Sequence, residues 1–109
     1  MIRVNVFSDS EGNYRGIECK GHAGYDEYGK DIICASASAL VLNMANSVEQ
    51  FTNDGFDGSM DEETGHFTFR LTGIVSPESK LLVDSFILGI KNIEKTYGEQ
   101  YIKIRFEEV

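Results

Sequence analysis

Cysteine occurs twice, proline once, and cations are outnumbered nearly two to one in this 109-residue chain. Two thiols, Cys19 and Cys34, are too thin a framework for a disulfide-stapled secreted domain and read as free thiols in a reducing compartment. With 10 Lys+Arg against 18 Asp+Glu the net charge is −8, which repels phosphate backbones and favours basic partners, so nucleic-acid binding is not expected. The longest apolar stretches are broken by Ser, Asn, Asp and Gly short of the ~20 residues a membrane span needs. Met1-Ile2-Arg3-Val4 begins a strand pattern and not a signal peptide, so the expected location is the cytoplasm, without membrane contact. Repeats, linkers and low-complexity segments are missing too. The length suits one domain, residues 1–109.

What is present falls into seven periodic segments. Ile2, Val4 and Val6 alternate with Arg3 and Asn5, and the turn-rich Ser8-Asp9-Ser10-Glu11-Gly12-Asn13 leads into a second strand over about Tyr14 to Ala23. On that strand Ile17 and Cys19 share one face, with Glu18, Lys20 and His22 on the other. Gly24 to Lys30 has no period of its own and reads as a mobile loop. Asp31 suits an N-cap for a helix from Ile32 to about Phe51, apolar on most faces and therefore covered on more than one side by its own sheet and a second helix or subunit. Strands near Phe56 to Glu62 and His66 to Leu71 meet at Glu63-Thr64-Gly65. Ser76-Pro77-Glu78 opens a second helix, Gly98 closes it, and Ile102, Ile104 and Phe106 mark a last strand. The order ββαββαβ predicts an α+β fold, a mostly antiparallel sheet with both helices on one face.

The chemistry concentrates at His22 and Cys34, twelve positions apart. A free thiol has a pKa of ~8.5, so a nucleophilic cysteine needs help to lose its proton. With Asp31 as cap, Cys34 is the third helical residue, where unpaired amides and the helix dipole are expected to stabilise a thiolate and, later, an oxyanion. His22 is the candidate base. Small residues at Ala35, Ala37 and Ala39 keep bulk away from Cys34, and Gly21 and Gly24 let backbone approach a bound chain. Alone, a cysteine near a helix start is more often a small buried hydrophobe. Asp31 reads chiefly as the cap, its charge mildly opposing a thiolate. Ser38, one turn after Cys34, either bonds back to the Cys34 carbonyl or orients His22 or a substrate amide. Strand parity places Cys19 in the core, away from His22, which argues against zinc. His66 reads as an exposed strand residue, and no cofactor or phosphate-binding pattern is present.

Gly21-His22-Ala23-Gly24, the loop to Asp31, and Asp31-Ile32-Ile33-Cys34-Ala35 followed by Ser38 together resemble the signature of the bacterial ribosomal-processing cysteine protease family, Prp. The resemblance extends over essentially the whole chain. It implies a small α+β homodimer with His22 and Cys34 as catalytic dyad. It also implies a substrate: a large-subunit ribosomal protein whose short N-terminal extension is cut off after a pair of phenylalanines, ahead of a basic segment. Tyr25 and Tyr28 are then expected to pack on the substrate's aromatic rings, and the net negative charge to attract its basic part. Two other classes stay open on the residues alone: a non-catalytic ribosome-assembly binding module, and a thiol redox sensor.

Overall fold

The computed structural model describes residues 1–27 and 31–109. Its elements run β1 (Ile2–Ser8), β2 (Tyr14–Lys20), α1 (Ile32–Phe51), β3 (Phe56–Asp61), β4 (His66–Leu71), α2 (Pro77–Tyr97) and β5 (Ile102–Glu108). The strands form one sheet in the order β3-β4-β2-β1-β5. Among the described residues β1 and β5 pair in parallel and the other three pairings are antiparallel. The α+β architecture and its order are those the periodicity predicts.

Register turns the alternating residues into continuous rows. Met60, Phe67, Cys19, Val4 and Ile104 stand opposite one another across all five strands. Such a row has one apolar face, and the helices cover it. Ile33, Ala37, Val41, Met44 and Val48 of α1, with Val83, Phe86, Ile87 and Ile90 of α2, are buried in one cluster with the sheet's apolar side chains. By length and mean hydropathy, 1.3, α1 is apolar enough to cross a membrane. The sequence reading put its apolar runs short of that mark, because Ser36, Ser38, Asn43 and Asn46 interrupt them. In the fold its most apolar stripe is a core stripe. β3 is an edge strand, exposed along most of its length and carrying Asp57 and Asp61, charges that discourage further pairing.

Helix ends are fixed by side chains. Ser76 caps α2 through a bond from the Ser79 amide, and Pro77 occupies its first position. Asp54, just after α1, accepts from both the amide (2.9 Å) and the hydroxyl (2.7 Å) of Ser76, tying the end of α1 to the start of α2. Asp31 caps α1.

β2 stops at Lys20, not at Ala23. Gly21 takes φ +85°, and a Cβ there would lie 2.6 Å from the Met1 carbonyl oxygen, so both the torsion and the space demand glycine. The chain turns at this point, and strand parity no longer applies to His22.

Candidate active site

Beyond Gly21 the segment His22–Gly24 runs along the first turn of α1. The Ala23 amide donates to Cys34 Sγ at 3.1 Å, and His22 Nδ1 stands 4.0 Å from the same sulfur. His22 Nε2 lies 3.1 Å from the Glu63 carbonyl oxygen, in the turn between β3 and β4. A carbonyl only accepts, so Nε2 carries the ring proton and Nδ1 of the neutral ring presents its lone pair to the thiol. This is the geometry a general base needs; in a free enzyme such contacts are often long and tighten on binding.

Asp31 holds the arrangement together. It is buried, and its Oδ1 accepts from the Ile33 and Cys34 amides, both at 3.0 Å. Its Oδ2 accepts from the Tyr25 amide at 2.9 Å and the Asp26 amide at 3.4 Å. One carboxylate thus joins the helix start to the segment that carries His22. Burial alone raises its pKa, but the four amide bonds outweigh that and hold the carboxyl below the usual range.

Two of the first-turn amides expected to serve an anion are therefore already engaged. Those of Ile33 and Cys34 are already spent on Asp31, whose charge also faces the sulfur. Burial pushes the Cys34 thiol above its ordinary value; the Ala23 bond lowers it, and Asp31 raises it again. Burial and the Asp31 charge thus favour the thiol over the thiolate. Alkylation of Cys34 by iodoacetamide is accordingly expected to keep accelerating with pH beyond the ordinary thiol range, a slower profile at neutral pH than a preformed thiolate gives. A rate already level by pH 7 is the contrary result.

A cleft of about 540 Å³ opens on the pair, lined by Gly21, His22, Cys34, Ala35 and Ser38 together with acidic Asp26, Asp31 and Glu62 and apolar Leu42, Met60 and Phe67. Ser38 reaches the cleft without bonding back to the Cys34 carbonyl; the back-bond in this turn runs from Ser36 to the Ile32 carbonyl, 2.6 Å. Ala37, though buried, lines the cleft with Ala35 as the small residues beside the thiol. Tyr25 is placed elsewhere than expected. Its ring packs edge-on against Tyr97 and Tyr101, with centroids 5.9 and 5.2 Å away, and it does not line the cleft. Tyr28 and the rest of the 28–30 stretch lie outside the described residues. Cys19 is buried as expected, and burial, helped by the Glu18 charge, pushes its thiol up to about 12, so it is no nucleophile. Yet it lines the same cleft as His22 and Cys34, so the parity argument that separated it from His22 fails at Gly21. His66 stands on the open face, bonded through Nε2 to Glu18 at 3.0 Å.

The turn after β3 is what sequence reasoning missed. Glu63 supplies its main-chain carbonyl, for which no residue type is diagnostic, and it lies 41 positions from His22. The one available signal was Gly65, which takes φ +69° where a Cβ would meet the Gly21 carbonyl oxygen at 2.7 Å and His22 Cε1 at 3.3 Å.

A half-buried thiol facing an oriented imidazole in an open cleft defines the class: a hydrolase built around a cysteine nucleophile. Residues 1–103 match the family described as cysteine protease Prp. The chain belongs to that family and is a cysteine-type peptidase. It is 32% identical over 99 residues to the ribosomal processing cysteine protease Prp of Staphylococcus aureus, covering 91% of this chain and 93% of that one. The Bacillus subtilis protein of the same name is 29% identical over 105 residues, covering 91% and 92%. The crystal structure of the S. aureus protease in complex with a covalently linked product peptide superposes with a TM-score of 0.91 at 30% identity, over 97% of this chain and 99% of that chain.

Proposed function

We propose that this chain is a cytoplasmic cysteine endopeptidase that removes a short N-terminal extension from a large-subunit ribosomal protein and works as a homodimer. The observation that carries the peptidase reading is the 4.0 Å approach of His22 Nδ1 to Cys34 Sγ, with the ring's other nitrogen held by a carbonyl. Nδ1 takes the thiol proton as Sγ attacks the scissile carbonyl carbon. The imidazolium then protonates the departing amine, leaving a thioester on Cys34. Water, deprotonated by Nδ1, hydrolyses it and restores the thiol. The Ala23 amide, already directed at Sγ, offsets charge on the sulfur. The covalently linked product peptide in the S. aureus relative is in keeping with such a route.

The cleft fits the substrate that the family implies. Leu42 and Met60, 40% and 39% exposed at its mouth, offer apolar surface to aromatic side chains, while Asp26, Asp31 and Glu62 offer charge to a basic stretch beyond the cut. Among the described residues no cation lines it, and Arg3, Lys20, Lys103 and Arg105 gather around a separate hollow on the sheet's open face. The test is mass spectrometry of a synthetic peptide spanning the unprocessed N-terminus of the organism's own ribosomal protein. A single cut after the aromatic pair is expected; an intact peptide overturns the reading.

The dimer rests on α1. Ile32 and Ala39, two turns apart on one exposed face of the helix, extend its apolar surface past the cleft that Ala35 and Leu42 line, Ile32 being 49% exposed. Sedimentation at micromolar concentration is expected to give twice the 12.2 kDa chain mass, and a lone-chain species sinks the proposal.

A further inference from the structure

The turn joining β3 to β4 lies far from the dyad in sequence yet makes the contact that sets its tautomer. Asp61 Oδ1 accepts from the Glu63 amide at 3.0 Å and from the Thr64 amide at 3.4 Å. These bonds fix the peptide planes on either side of Glu63 so that its own carbonyl faces outward, 3.1 Å from His22 Nε2. Thr64 continues the bracing, its Oγ1 accepting from the His66 amide at 3.3 Å. Gly65, without a Cβ, lets the turn sit directly on the Gly21 carbonyl and the edge of the imidazole.

We infer that this turn is the third part of the catalytic apparatus, with the Glu63 main-chain carbonyl orienting His22 and the Asp61 side chain acting as the positioning residue that aims that carbonyl. The inference rests on His22 being the general base. An acidic or amide side chain is the usual orienting partner of a catalytic imidazole, and its task is to choose the tautomer and hold the ring. A carbonyl does both, because it accepts only from a protonated nitrogen and so leaves the other nitrogen as base. It carries no formal charge, so it favours the imidazolium less than a carboxylate does. The ring is thereby suited to take a proton from a neutral thiol during attack instead of storing one beforehand.

The two roles that Asp61 can have, stiffening a hairpin or aiming a base, give different results. Asp61→Ala frees the Glu63 and Thr64 amides and lets the carbonyl swing, so kcat on the ribosomal-protein peptide is expected to fall about 10- to 100-fold with KM nearly unchanged, the scale of a misplaced catalytic group. Asp61→Asn keeps an oxygen that can accept both bonds and is expected to retain most of the activity. Ring-nitrogen NMR of His22, with His66→Gln introduced to remove the other imidazole, reads the tautomer directly. The Nε2–H form is expected in the parent and in Asp61→Asn, and a mixture in Asp61→Ala. Gly65→Ala, which displaces the turn from the ring, is expected to reproduce both defects. An Asp61→Ala protein with parental tautomer and kcat overturns the inference, as does an Asp61→Asn protein as impaired as Asp61→Ala. Because the spectrum needs no substrate, a parent that cleaves nothing but changes tautomer on Asp61→Ala refutes the peptidase reading while leaving the orienting contact in place.

Discussion

Cys34→Ala is expected to stop peptide cleavage, with a fall of about 10³-fold or more in kcat and KM little altered, because it removes the atom that bonds the substrate without filling the cleft. His22→Ala is expected to be nearly as damaging. Burial holds the pKa of the half-buried thiol above its ordinary value, so with no base in reach it attacks only through a small fraction of thiolate. The pH dependence separates the two variants. In His22→Ala the residual rate should climb as pH rises towards the elevated thiol pKa, since hydroxide does what the imidazole did; in Cys34→Ala it should stay flat. The double variant should be no worse than Cys34→Ala, since the two groups act as one unit and their losses do not add. Mass-spectrometric time courses across pH 6 to about 10 measure all of this, thiolate chemistry being the variable that changes over that range. Cleavage by Cys34→Ala within tenfold of the parent removes the nucleophile assignment altogether.

The parts of the molecule that were legible in the sequence are those set by neighbours along the chain. Alternation in Ile2-Val4-Val6 and Phe67-Phe69-Leu71 is the direct imprint of a sheet with one buried face, and all six side chains are buried. Caps are equally local: Asp31 bonds amides two and three residues ahead, and Ser76 one three ahead, so the starts of both helices fall where residue chemistry puts them. The position of Cys34 as third helical residue followed from that cap alone.

What stayed hidden depends on groups that meet across the fold. Continuing the alternation of β2 through to Ala23 was reasonable from residues 14 to 20, and it fails because the chain leaves the strand at Gly21, where φ is +85° and the Met1 carbonyl leaves no room for a Cβ. That turn moves His22 from the open face to the cleft and overrules the parity that had separated it from Cys19. The same limitation affected Asp31. As a cap it was recognised, but its second oxygen binds the Tyr25 and Asp26 amides, and its first engages two of the amides that had been assigned to an oxyanion. A short range rule sees one end of a bidentate group. Tyr25 was expected at the substrate from the aromatic pair that the family resemblance implies; its ring instead meets Tyr97 and Tyr101, more than 70 residues away.

Asp31 is accordingly where stability and activity are expected to fail together. Asp31→Ala leaves four amides without their acceptor, two at the start of α1 and two in the segment after Gly24. Loss of an N-cap costs about 0.5–2 kcal/mol and an orphaned buried amide about 1–3, so a net destabilisation of about 2–4 kcal/mol is expected once water reaches the looser loop. It should appear in urea titrations as a lower midpoint at unchanged slope. Asp31→Asn can offer an oxygen to only one pair of amides, and its NH₂ then faces the other pair donor to donor, so it should rescue little. Acid titration gives an independent sign. Since the folded carboxyl sits below its ordinary value of 3.8, its contribution is fully present above that pH and is lost as pH falls through the lower, folded value. The parent should therefore lose stability in that acid window, and the variant should lose less there, having no carboxylate at residue 31 to protonate. Cleavage should drop in step, because the amides of Tyr25 and Asp26 no longer tether the His22 segment to the turn that carries Cys34. A variant that keeps the parental urea midpoint and acid profile while losing activity would assign Asp31 to the chemistry and not to the scaffold.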